Sequence, residues 1–166
     1  MNMNYLTLSA DGKTLLRCAK NATGTVVIPD SVTKIGAYAL FGCTKLKAVI
    51  ISEGVTEIGK LTFAGCRSLT NVTLPASVTK IGENAFWDCD NLTEIAIPEG
   101  VSEIGHGAFA DCENLTNVKI TADVTRIGDC AFFGCKSLTD LHIPDSAGYI
   151  GKDAFADCKN LRIPEN

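Results

Sequence analysis

The chain has 166 residues, a formal charge of −4, and 46% hydrophobic and 20% charged residues, the balance of a soluble folded domain and not of a disordered tail. Lys and Arg are scattered singly, so no basic stripe exists to neutralise nucleic-acid phosphates or an anionic membrane surface. The longest apolar run, Ala48-Val49-Ile50-Ile51, falls far short of the roughly 20 residues that span a bilayer. Met1-Asn2-Met3-Asn4-Tyr5 has neither the cationic nor the apolar region of a signal peptide, which leaves an intracellular protein and a mature fragment begun by a new Met as alternatives.

In chain order, the first element is a hairpin. Tyr5-Leu6-Thr7-Leu8-Ser9 and Thr14-Leu15-Leu16-Arg17-Cys18 flank Ala10-Asp11-Gly12-Lys13, and Asp-Gly between alternating runs favours a tight reversal. Residues 1–24 are therefore expected to form an N-terminal cap over the open edge of the repeats that begin at Thr25.

From Thr25 onward the sequence repeats. Cys43, Cys66, Cys89, Cys112, Cys135 and Cys158 stand 23 residues apart, and Gly36 to Gly151, Ile35 to Ile150 and Leu46 to Leu161 keep the same period. A further column reads Leu40, Phe63, Phe86, Phe109, Phe132, Phe155. Within one unit, Leu92-Thr93-Glu94-Ile95-Ala96-Ile97 alternates as a strand with one buried face and Pro98 ends it. Val101-Ser102-Glu103-Ile104 is a shorter strand, Gly105 permits an unusual backbone or a close approach, and Ala108-Phe109-Ala110-Asp111-Cys112 suits a short helical or 3₁₀ return. Such a unit buries its apolar residues only by stacking on its neighbours.

The unit resembles the BspA-like, or Treponema-type, leucine-rich repeat, Leu-Thr-x-Ile-x-Ile-Pro-x-x-Val-Thr-x-Ile-Gly-x-x-Ala-Phe-x-x-Cys, over about Thr25 to Pro164. Departures are local: Leu40 stands for Phe, Thr62 for Ala, Ser52 and Thr121 for Pro, and Ala147-Gly148-Tyr149 for Val-Thr-x. The resemblance implies an α/β repeat solenoid, a right-handed coil of parallel strand ladders, with residues 25–166 forming six turns in one continuous domain. It also implies bacterial or protist surface proteins that bind host or matrix proteins, hence an extracellular or cell-surface setting, with a cytoplasmic one left open. It carries over no catalytic residue.

The cysteine column raises disulfide and metal readings, but stacked rungs hold its side chains parallel at roughly 4.8 Å, which suits buried thiols better than converging bridges. No CxxC pair occurs and the only histidines are His106 and His142, so no metal, cofactor or catalytic pair is expected. Cys18 and Cys130 lie outside the column, their state open. His142 is expected at an outward strand position and His106 in the bend after Gly105.

Three outward patterns remain. The short strands read Lys34, Glu57, Lys80, Glu103, Arg126, Tyr149, an alternation of charge that disfavours a one-rung slip. The long strands present a Thr column read as β-propensity, and two variable columns that are the candidate binding face: Asn71, Glu94, Asn117 and Asp140, with Thr73, Lys119 and His142. The residue after the aromatic column reads Phe41, Ala64, Trp87, Ala110, Phe133, Ala156; Phe41, Trp87 and Phe133 are either an exposed ridge or packing over the intervening alanines. Asn21, Asn71, Asn91 and Asn114 match the glycosylation pattern, mostly as by-products of the repeat.

At the far end Arg162-Ile163-Pro164 shortens the last strand, leaving a cut chain, a compressed final rung or end-to-end self-association as alternatives. The expected function is a non-catalytic protein-interaction or adhesion module, with a glycan-binding module or a structural spacer as alternatives, and no nucleic-acid partner or membrane span.

Overall fold

The computed structural model describes residues 5–120, 123–139 and 141–162. Two short strands open it, β1 (Leu6–Leu8) and β2 (Thr14–Cys18), paired antiparallel around Gly12, whose φ of 69° is the left-handed conformation the reversal needs. The long strands follow as β3 (Gly24–Val27), β5 (Leu46–Ile50), β7 (Asn71–Thr73), β9 (Glu94–Ile97) and β11 (Asn117–Ile120). Between them run the short strands β4 (Lys34–Ile35), β6 (Glu57–Ile58), β8 (Lys80–Ile81), β10 (Glu103–Ile104), β12 (Arg126–Ile127) and β13 (Tyr149–Ile150). We call the repeats rungs 1 to 6, each named by its column cysteine from Cys43 to Cys158.

Every ladder between rungs is parallel and joins residues 23 apart across the middle of the molecule, as in Glu103 with Lys80 and Asn117 with Glu94. The long strands form two sheets, β3-β5-β7 and β9-β11, and the short strands from β6 to β13 form one. The hairpin joins the short-strand side, because β2 pairs with β4 through Thr14–Lys34 and Leu15–Ile35.

The return segment is not helical. In rung 4 the amides of Ala108, Ala110 and Cys112 bond back three residues, to Gly105, Gly107 and Phe109, while those of Gly107, Phe109 and Asp111 bond forward to Asp129, Ala131 and Phe133 of the next rung. An α-helix is about 10 Å across and uses all its amides internally, so it cannot stack at a rung spacing near 5 Å. Consecutive turns that give every second amide to the neighbour can. The alternation puts two residues per rung at positive φ, such as Asn84 and Asp88 in rung 3 and Cys130 and Gly134 in rung 5.

The glycine column serves close approach. A Cβ on Gly105 would lie 2.7 Å from the carbonyl carbon of Gly82, and one on Gly128 2.6 Å from that of Gly105, so backbone stacks on backbone here.

The interior is a set of stacked columns. Phe63, Phe86, Phe109, Phe132 and Phe155 lie ring over ring at centroid distances of 5.0, 5.1, 5.3 and 5.6 Å with interplanar angles of 3–10°. Beside them the thiols form a ladder: Cys66, Cys89, Cys112, Cys135 and Cys158 donate to the carbonyls of Leu40, Phe63, Phe86, Phe109 and Phe132 at 3.0–3.2 Å. Several of these carbonyls already accept an amide from their own rung, as Phe63 does from Cys66, so the thiol fills the second lone pair of a buried acceptor. This is a reason for Cys that Ala or Val would not satisfy.

All eight cysteines are free. Cys18 belongs to the ladder after all: it is buried beneath Cys43, whose thiol points at the Cys18 and Ala19 carbonyls, because the hairpin ends one rung-height below rung 1. Burial pushes the Cys66 thiol up to about 12 and the fully enclosed Cys89 thiol well above its ordinary value.

Candidate interaction surface

The short-strand column places its charges in register. Glu103 lies 3.2 Å from Lys80 and 3.8 Å from Arg126, whose guanidinium in turn sits 4.2 Å from the Tyr149 ring centroid. These are exposed pairs of small individual worth, and their role is alignment. Two columns on the bend also carry ion pairs, Lys60–Glu83 at 2.9 Å in one and Arg67–Asp90 at 3.9 Å and Glu113–Lys136 at 2.6 Å in the other, with Arg67 also reaching Asp88 of a third column at 2.7 Å. The opposed charges are present in the sequence but are masked there by residues of mixed type in the same columns and by the like-charged steps Asp90–Glu113 and Lys136–Lys159.

The polar columns next to the core are structural. Thr70, Thr116 and Thr139 hydroxyls donate to the carbonyls of Lys47, Thr93 and Thr116, and Thr79 and Thr125 do the same on the short-strand side. The Thr column thus works through hydrogen bonds, and Thr70, Thr93 and Thr116 lie just before the strands and not in them. The amides of Asn91 and Asn114 donate to the carbonyls of Arg67 and Asp90, which gives the acceptor-like pattern a purely structural cause.

The variable columns differ. Asn71, Thr73, Glu94, Asn117 and Lys119 come together around a hollow of about 320 Å³ floored by Val72 and Ile95, astride the seam between the β3-β5-β7 and β9-β11 sheets. Among the described residues none of these five side chains is held by a hydrogen bond or ion pair to another. Asp140 lies outside the described residues, as do Thr121 and the Ile163-Pro164 end. His142 is exposed, but Leu141–Ile143 forms no strand among the described residues, so the long-strand ladder stops at β11 and His142 stands apart from the hollow. His106 is on the bend of rung 4, and the two histidines share no element. At the other end of the same face Val27 and Ile50 are exposed, Ile50 at 47%; the sequence places Ile50 in an outward column, but neither residue is among the candidate site residues it yields. An apolar residue at an outward strand position is the signal that marks this end of the face.

On the bend, Phe41 and Trp87 are exposed at 38% and 39% and Phe133 is half-buried, while Ala64 and Ala110 are buried between them. Trp87 reaches over rung 4, its Nε1 donating to Asp111 at 3.0 Å. Phe41 meets Tyr38 edge-on at 6.0 Å and carries the Lys20 ammonium 4.9 Å from its ring centroid. Leu16, Tyr38, Phe41 and Lys20 wall a second hollow of about 280 Å³. Cys130 is in the bend at a φ of 53°, partly exposed and outside the thiol ladder.

Comparison with known proteins agrees with this geometry. A leucine-rich cell surface protein from Faecalibacterium prausnitzii superimposes with a TM-score of 0.80 at 32% identity, over 98% of this chain and 52% of its own. A leucine-rich repeat protein from Bacteroides ovatus gives 0.70 at 30% identity over 87% of this chain and 44% of its own, and one from Bacteroides capillosus 0.60 at 31% over 69% and 91%. The chain therefore spans about half the length of the first two. A comparison with curated proteins finds no match. Six copies of the BspA type leucine-rich repeat region match residues 18–139 and 103–166, and the chain belongs to that family.

Proposed function

We propose that this chain is a non-catalytic interaction unit of a cell-surface protein and that it holds a protein partner against the long-strand face. The observation that carries the reading is the seam hollow: five polar side chains of both charge types and neutral amides, uncommitted to the fold, around an apolar floor. A parallel sheet offers such residues as an array, and variation in outward columns while the core columns repeat is how a solenoid changes partner without changing fold. Exposed Val27 and Ile50 extend the face with an apolar end, so the partner would bring a nonpolar anchor there and polar or charged groups to the hollow. The F. prausnitzii structure, described as a cell surface protein, supports the location.

The test is capture of extracellular-matrix and host-surface proteins by the wild-type chain, Ile50→Asp, Glu94→Lys and Lys119→Glu. Each substitution is expected to weaken capture at least about tenfold while leaving the melt within about 0.5 kcal/mol of wild type. Binding indifferent to all three, or binding to a glycan array and to no protein, would overturn it.

A further inference from the structure

We propose that the foot of the thiol column is a redox-active pair, Cys18 and Cys43, which closes into a disulfide under oxidising conditions and staples the hairpin to rung 1. The pair lies apart from the long-strand face, and the two readings stand or fall independently.

From Cys66 to Cys158 every column sulfur is committed, donating to a carbonyl of the previous rung at 3.0–3.2 Å. The two sulfurs at the foot are not. The Cys43 thiol lies 3.9 and 3.7 Å from the carbonyl oxygens of Cys18 and Ala19, and the Cys18 thiol lies 3.8 Å from the same Ala19 oxygen. Both sulfurs thus converge on one oxygen that neither bonds closely, and a hydrogen bond joins them to each other. Bridging them surrenders none of the short thiol–carbonyl bonds that tie the rest of the ladder together. Cys135 and Cys158 also reach each other, but there each sulfur would have to leave a carbonyl at 3.0–3.1 Å.

The path of the chain explains the exception. Rung follows rung by translation, so column side chains leave the backbone in parallel, whereas a bridge needs them to converge. Cys18 is not placed by that translation. It ends the antiparallel strand β2, 25 residues before Cys43 and not 23, and its amide donates to the Ala39 carbonyl of rung 1 at 2.6 Å. The loop such a bridge closes contains β3 and β4, so the hairpin gains a covalent tie beside the β2–β4 pairing. Cys18 and Cys43 are buried, but Cys18 is among the residues lining the 280 Å³ hollow, together with Arg17 and Lys20, whose charges suit an anionic disulfide such as glutathione disulfide. The hydrogen bond from Cys18 and, behind it, the Lys20 ammonium hold the Cys43 thiol below its ordinary value. With glutathione disulfide as oxidant, the Cys18 thiolate attacks one of its sulfurs and displaces a glutathione thiolate, which takes up the proton that Cys18 released. The Cys43 thiolate then attacks the Cys18 sulfur and displaces the second glutathione in the same way. Two protein thiols become one disulfide, and one glutathione disulfide becomes two glutathiones.

The experiment treats the folded, fully reduced chain with glutathione disulfide, quenches with acid and maps the cysteines by tryptic digestion without reductant. The expected product is one linked species joining the peptides Cys18–Lys20 and Ile35–Lys45, two hydrogens lighter than the pair, with the five column thiols from Cys66 to Cys158 still free. The melting midpoint of the oxidised chain should rise by about 5–10 °C and return when dithiothreitol is added. In Cys18→Ser the same treatment should leave the midpoint unmoved. The mapping needs no variant, so it decides the matter even if a substitution at the column foot fails to fold. The proposal is overturned by a folded chain whose Cys18 and Cys43 stay free or carry only glutathione. It is equally overturned by a bridge that forms only in urea, by one between Cys135 and Cys158 that forms as readily, or by a rise on oxidation that Cys18→Ser keeps.

Discussion

The bend side and the long-strand side of each rung are built from one repeat, yet they use their polar groups differently. On the bend, every second amide and the column thiols are given to the rung before or after, as are the Asn91 and Asn114 amides and the Thr116 hydroxyl just ahead of the long strands. On the strand face, the side chains of Asn71, Glu94, Asn117 and Lys119 make no hydrogen bond or ion pair to their neighbours among the described residues. A column used for stacking must repeat, because each rung is both donor and acceptor to an identical partner. A column that faces out is released from that requirement, and it is the one that varies.

That contrast is broken most directly at the aromatic stack. Phe109→Ala removes a ring held between Phe86 and Phe132 and should cost about 3–5 kcal/mol in a urea melt, far more than any change on the strand face. A cost as small as that of Glu94→Lys would erase the distinction between spine and face.

Alkaline pH tests the thiol ladder. The Cys66 thiol titrates in the unfolded chain near its ordinary value of 9.0 but in the folded chain only at about 12, chiefly through burial. Its contribution to stability is therefore complete below about pH 9 and is lost as pH climbs toward 12, because the unfolded state releases the proton first. Thermal melts across that range should fall, and Cys66→Ala should fall less steeply; equal slopes would remove the thiol from the account.

Smaller effects sharpen the comparison within the bend. Cys112→Ala removes the donor to the Phe86 carbonyl and should cost about 1 kcal/mol. Cys130→Gly relieves a left-handed non-glycine residue outside the ladder and should add about 1 kcal/mol. Two cysteines of one rung period, with opposite signs on substitution, separate the ladder from mere cysteine content; the same sign for both would merge them again. On the strand face the stability change of Glu94→Lys should be the smallest of all, within about 0.5 kcal/mol.

Much of this was legible in the residues. A 23-residue period in Cys, Gly, Ile, Leu and Phe dictates stacked rungs with parallel in-register ladders, since only translation by one rung brings identical side chains together. The Asp-Gly hairpin and the charge alternation through Glu103 are equally local signals. Three things were not legible. The return segment has the composition of a short helix, and only the spacing of adjacent rungs, a tertiary quantity, forbids it. Cys18 stands 25 residues from Cys43 and so falls out of any periodic search, yet the hairpin delivers it to the foot of the column. The seam hollow depends on where one sheet gives way to the next, which no single rung encodes. The sequence by itself determined the rung, because a rung is made of local periodicity and turn chemistry. The tertiary structure alone decided how rungs share hydrogen bonds and where the face opens, because those depend on distances between residues that are neighbours only after the coil has formed.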